Sequence, residues 1–312
     1  MNDRKFFLLA IALENATQEQ LDRMVTEIAK VFAKYTAGGV ITDQYALNRA
    51  VNKVIDEFYD VFVELMHKSA KKVGQYEVEK AVSQVIPLLN SAGLYTEGVK
   101  LYQEIRNYGE AVSKRLMVNG WAGRPLNQTI KTIKAGTQKT VQNIIANGSS
   151  EGKSAFEIAQ RIEQYLNPIK NGATVAPYDE YRRRFGRPTS FTPKGVPAGS
   201  VQYNAYRIAR TEMAHISRQA SIDFYKDKDW VKGFTWHLSN RHPARDECDE
   251  NSKKVYATED EIPAQHPNCL CDIRPKIMTA AELRGYADTL DIEDDIFERA
   301  VKASKQLVGS LK

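Results

Sequence analysis

The sequence predicts a mainly α fold with a small α+β C-terminal domain. A helical N-terminal bundle comes first, then helices packed on a small antiparallel sheet with a Cys/His-rich loop. Three observations predict it. Apolar residues recur at helical spacing up to residue 118. The aromatic segment Trp230 to Leu238 reads as a strand, with Val255-Tyr256 as a short partner and Ile273 as a third. All three cysteines of this 312-residue chain, Cys248, Cys269 and Cys271, lie between Trp236 and Pro275, with His237, His242 and His266.

The elements follow in order. Arg4 and Lys5 precede an apolar run, Phe6 to Leu13. It mimics a short signal peptide, but it is near the lower length limit and no clean small-x-small site follows. It is far too short to span a membrane. The expectation is a strand or a helical anchor that docks on this protein or a partner. Thr17-x-x-Gln20 is a capping-box start, followed by Leu21, Met24, Ile28, Val31, Phe32 and Tyr35 at helical spacing. Gly38-Gly39 ends that helix. Leu47, Val51, Val54, Ile55, Phe58, Phe62, Leu65 and Met66 mark a longer one, with a break expected at Gly74. Val78 to Ile86 reads as a shorter helix limited or kinked by Pro87. Leu94 to Val118 closes the bundle. These stripes are core positions, and no chemistry is assigned to them.

Asn119-Gly120-Trp121 and Gly123-Arg124-Pro125 mark a boundary. Asn127 caps a helix to about Asn147, and Ser154-x-x-Glu157 is a second capping box. Residues 171–200 are rich in Gly and Pro and irregular. Within them Arg182, Arg183, Arg184 and Arg187, interleaved with Tyr178, Tyr181 and Phe185, offer phosphate contacts and stacking surfaces for nucleic acid. The competing reading is an exposed, solvated loop or an arm docked on an acidic subunit. A helix over 203–225 carries Arg207, Arg210 and Glu212. The two arginines share a face. They can form an anion site, but a structural role is preferred, with a guanidinium fork on loop carbonyls or on carboxylates such as Asp246. Phe234 and Trp236 share one face of the strand, with Trp236 a structural residue. After Pro275, Thr279-x-x-Glu282 caps a helix, and an acidic helix runs from about Ile292 to Leu307. The ranges are then 1–120, a helical N-terminal region; 121–278, the α+β domain; and 279–312, a helical tail.

Composition narrows the function. With 27% charged and 42% hydrophobic residues, the chain is typical of soluble globular proteins. A net charge of +5 permits nucleic-acid contact without demanding it. Three cysteines in one place do not describe a disulfide-stapled secreted domain, so a reducing compartment fits better. There is no Ser-His-Asp order, no Gly-rich phosphate loop and no His-Glu-x-x-His, so most enzyme classes lack a motif.

The chemistry concentrates in the cysteine segment. Thiolate and imidazole are preferred ligands of tetrahedral zinc. Cys248, then a gap of about twenty residues, then His266-x-x-Cys269-x-Cys271 offers four such ligands on closing one loop. His242 and Asp246 are alternates. A disulfide from Cys248 to Cys269 or Cys271, and plain apolar packing, are the competing readings. Pro243, Pro263 and Pro267 make the segment irregular, so a metal clip would hold it in one shape.

The same residues carry a family resemblance. YRIARTEMAHISRQA (206–220), W-x-x-G-x-x-W (230–236), HPARDECDE and the HPNCLCDIRP ending occur in the order of the head-morphogenesis domain of tailed phages. The chain resembles this MuF domain, typified by the phage Mu F protein, over roughly residues 127–278. It departs at one place: many members have a second cysteine shortly before the one matching Cys248, where this chain offers His242 and Asp246. The resemblance implies a minor capsid protein inside the virion, assembled in the host cytoplasm and bound to the portal. Its partners would be the portal and major capsid proteins and DNA, and its role DNA packaging, retention or ejection. On this reading the zinc is structural and the chain is not an enzyme. The alternative is a zinc-dependent nuclease or hydrolase in which His242, Asp246 and Asp249 serve as ligands or general base. A DNA-binding module is the third reading.

Overall fold

The computed structural model describes residues 4–120, 123–168, 199–239, 246–267, 269–290 and 292–309. Among them are ten α-helices and two small antiparallel sheets. In chain order the elements are α1 (Arg4–Lys34), β1 (Thr36–Ala37), β2 (Val40–Ile41), α2 (Gln44–Ser91), α3 (Tyr95–Ile105), α4 (Tyr108–Val118), α5 (Leu126–Ser150) and α6 (Ala155–Leu166). After residue 199 come α7 (Val201–Tyr225), β3 (Val231–His237), α8 (Glu247–Asn251), β4 (Val255–Tyr256), β5 (Asp272–Ile277), α9 (Ala280–Ala287) and α10 (Asp294–Gly309). No helix among the described residues is long and apolar enough to cross a membrane. The chain forms two compact units, each drawn from two stretches: 1–69 with 116–212, and 70–115 with 213–312. These units cut across the consecutive ranges read from the sequence.

In the first unit, α1 begins at Arg4 rather than at the Thr17 capping box. Phe6, Ala10, Leu13, Thr17, Leu21, Met24, Ile28 and Phe32 are all buried and lie three or four apart. The apolar N-terminal run is therefore the first part of one continuous stripe. Thr17 caps nothing; its hydroxyl donates to the Leu13 carbonyl one turn back, at 2.7 Å. Gly38 and Gly39, at φ 59° and 81°, make the two-residue turn between β1 and β2. Both positive angles suit the tight hairpin turn. The first half of α2 buries Leu47, Val51, Ile55, Phe58, Tyr59, Phe62 and Met66. Tyr59 bonds Thr137 of α5 at 2.8 Å. α5 starts after Pro125, not at an Asn127 cap, and runs past Gly148, which packs on Ile158 of α6. The Ser154–Glu157 capping box forms as expected.

The second unit holds the rest of α2. The break expected at Gly74 does not occur, and Pro87 also lies inside the helix. A Cβ at Gly74 would lie 2.7 Å from the Val112 side chain and 2.8 Å from Gly109 Cα. Glycine here permits close approach of α4, and that packing outweighs its poor helix propensity. The single helix expected over 94–118 is two helices, α3 and α4. The sheet has the order β4-β3-β5, both pairs antiparallel, with Phe234 opposite Tyr256 and Trp236 opposite Ile273. Its core contains Trp230, Phe234, Trp236, Ile273, Phe224 and Tyr225, with Ile86, Leu89, Leu101 and Ile105 from the helices. The Thr279–Glu282 capping box starts α9. A buried ionic group crosses this unit. Lys80 lies 3.1 Å from both Glu77 and Asp272. Ser217 donates to Glu77 at 2.5 Å, and Arg274 lies 3.2 Å from Asp272.

Candidate metal centre

The candidate site lies within the second unit. Cys248 is placed by α8, a single turn begun by a capping box in which Asp246 accepts from the Cys248 N–H at 2.7 Å. Asp249 completes the box by accepting from the Asp246 N–H at 2.9 Å. His266 and Cys269 sit in the loop before β5, tied by a bond from the Cys269 N–H to the His266 carbonyl at 3.3 Å. Cys271 immediately precedes β5. All three cysteines are buried and none forms a disulfide.

The donor atoms converge. Cys248 Sγ lies 3.6 Å from Cys269 Sγ and 3.3 Å from His266 Nε2. A tetrahedral zinc ion with its usual bond lengths would space two sulfurs by about 3.8 Å and sulfur from nitrogen by about 3.6 Å. The Cys248, His266 and Cys269 donors all fall within 4.8 Å of one another, so the three can hold a metal ion. His266 Nδ1 donates to the Pro267 carbonyl at 2.9 Å, because a carbonyl only accepts. That bond leaves the Nε2 lone pair facing the thiols, the tautomer a ligand needs.

Cys271 adjoins this group without joining it at the same spacing. Its N–H donates to Cys269 Sγ at 3.4 Å, and its thiol hydrogen-bonds with Cys248 and Cys269. The protons are shared unevenly. Hydrogen bonds from Cys248 and Cys271, with Arg218 adding to them, hold Cys269 well below the usual thiol range. Cys248 is pushed up, chiefly by its hydrogen bonds to Cys269 and Cys271. Cys271 is also raised: a hydrogen bond from Cys248 opposes the shift, and the Cys269 thiolate and burial outweigh it. A metal would displace the remaining protons.

The other sequence-derived residues divide as follows. Asp246 is close: its Oδ2 lies 3.5 Å from His266 Nε2. Trp236 is buried in β3 beneath the guanidinium of Arg218, whose carbon lies 4.1 Å from the ring centroid. Arg207, Arg210 and Glu212 belong to the first unit, not to the site's unit. Arg210 is buried and paired with Glu14 of α1, rather than with Asp246. Glu212 is buried beside Gly120. Arg182, Arg183, Arg184, Arg187 and His242 lie outside the described residues. Arg218 was missed by sequence reasoning. The sequence held no clear signal for it: the neighbours on its helix face, Ala214, Ser217 and Ser221, are small or polar, and only the structure shows them buried.

Comparison of the chain with protein-family models, with curated proteins and with solved structures finds no match.

Proposed function

We propose that this chain is a minor head protein of a tailed phage, bound to the portal inside the capsid and acting in DNA packaging, retention or ejection. One observation carries the reading. Cys248 lies 18 residues before His266 and 21 before Cys269, and the three donor atoms fall within 4.8 Å of one another. This supports the reading, because the segments that resemble the MuF domain are the ones that carry these residues. On this reading Cys248, His266, Cys269 and Cys271 hold zinc as a closed site. Four protein ligands leave no position for water, so the metal staples the loop and does no chemistry. The helical portion supplies contacts to the portal and shell.

A second reading has one observation in its favour. The tight donor group has three members, with the half-buried carboxylate of Asp246 beside it. Three ligands and a carboxylate are the ingredients of a hydrolytic zinc site. Asp249, the other carboxylate considered for that role, is engaged in the α8 capping box.

Quantitative mass spectrometry on particles from a phage genome carrying this gene tests the first reading. The expected result is a few copies per particle, retained in DNA-filled heads. Absence from both proheads and mature particles would overturn it and send the metal centre to assays of hydrolysis.

A further inference from the structure

We infer that Gln265 is a positioning residue of the metal centre: its side chain sets the His266–Cys269 turn in ligating shape before any metal binds. This rests on the metal reading above and adds to it a residue that ligates nothing.

Gln265 immediately precedes His266 and is only 6% exposed. Its Nε2 donates to the Cys269 carbonyl at 2.5 Å. A carbonyl only accepts, so the amide nitrogen is the end that faces it. The backbone closes the same turn, with the Cys269 N–H donating to the His266 carbonyl at 3.3 Å. Cys269 is thus held through its C=O by Gln265 and through its N–H by His266. The His266 ring is fixed in turn by its Nδ1 bond to the Pro267 carbonyl at 2.9 Å.

The flanks are anchored separately. Just past Cys271, Asp272 is tied to Lys80 of α2 at 3.1 Å and to Arg274 at 3.2 Å. Cys248 is set by the Asp246 cap. The Gln265 and Lys80 bonds run through side chains that do not ligate, so they are made whether or not metal is present. Ordering a loop costs conformational entropy, and a turn already closed spares the metal that cost. Without an amide at position 265 the Cys269 carbonyl loses this donor in a buried setting, and the turn would open toward water to regain one. Groups that orient ligands from outside the coordination sphere commonly shift metal affinity in this way.

The test compares the unsubstituted protein with Gln265→Met, which keeps an unbranched side chain of similar length and removes the donor. Zinc affinity is measured by chelator competition, and amide exchange by NMR on the metal-free proteins. The unsubstituted metal-free protein should already protect the Cys269 amide. Gln265→Met should lose that protection, keep the protection of the β3 amides, and bind zinc about 10–100-fold more weakly. Equal zinc affinity in the two proteins would overturn the inference and leave the metal reading standing. Weaker binding with the Cys269 amide still protected would also overturn it, since the turn would then be closed without Gln265. So would a loss of protection that extends through β3, because the role would then be global stability. If Gln265→Met does not fold, an unprotected Cys269 amide in the unsubstituted metal-free protein overturns the inference alone. An unsubstituted protein that binds no zinc overturns the metal reading itself, and this inference with it.

Discussion

Among the described residues, Glu14 pairs with Arg210, and Glu77 and Asp272 pair with Lys80; single substitutions expose what each group is worth. Glu14 and Arg210 are each about 1% exposed and face one another. Removing one partner of a buried pair leaves the other charge uncompensated. Glu14→Gln should therefore cost about 3–5 kcal/mol in chemical denaturation. Replacing both, as Glu14→Leu with Arg210→Met, should cost much less. Glu77 makes a different prediction. Burial pushes its carboxyl up to about 7, against the opposing pull of Lys80. Its folded value lies above its unfolded one, so the fold takes up a proton between roughly pH 4.5 and 7. That contribution is present at the acid end and is lost as pH rises through 7. Unfolding free energy measured across the window should fall with rising pH, and Glu77→Gln should flatten the fall. An unchanged slope would show that Glu77 does not titrate there. At this scale the group that could hold a metal ion, Cys248, His266 and Cys269, was legible because thiols are rare and all three lay in one stretch. Arg218 was not, since one arginine among the helix's charges gives no sign of its depth until the burial pattern is known.

Elements were legible where a local rule decides and illegible where a distant contact does. Two capping boxes, Ser154–Glu157 and Thr279–Glu282, form as the spacing requires, and the three strands lie where aromatic and β-branched residues cluster. Thr17-x-x-Gln20 has the same spacing but lies inside α1, because the apolar stripe continues through it. Gly74 reads as a breaker until α4 is seen packed against it. Gly233 is the most demanding glycine in the sheet. It has φ 127°, and a Cβ there would come within 2.3 Å of the Tyr256 carbonyl oxygen. It sits between Val231 and Phe234, where the β3–β5 register shifts. Gly233→Ala should separate β4 from β3 and destabilise the protein by about 1–3 kcal/mol. Amide exchange at Tyr256 and neighbouring residues would rise. Unchanged protection at Tyr256 would contradict this.

The molecule as a whole was read from its sequence as three consecutive ranges, because boundaries in sequence are marked by Gly, Pro and Asn punctuation. Compactness is set instead by long-range packing. The two units each combine separated stretches, and α2 and α7 each contribute to both. Nothing local in either helix announces that division. The candidate centre belongs to the second unit, where it ties α8 and the loop before β5 to one point. The proposed binding role depends on that point being a closed clip rather than an open catalytic site. X-ray absorption at the zinc edge, on purified protein of known metal content, tests this most directly. A stoichiometric zinc with three sulfurs and one nitrogen in its first shell is the predicted result. A light oxygen ligand in place of a sulfur, or protein that carries no stoichiometric metal, would contradict it.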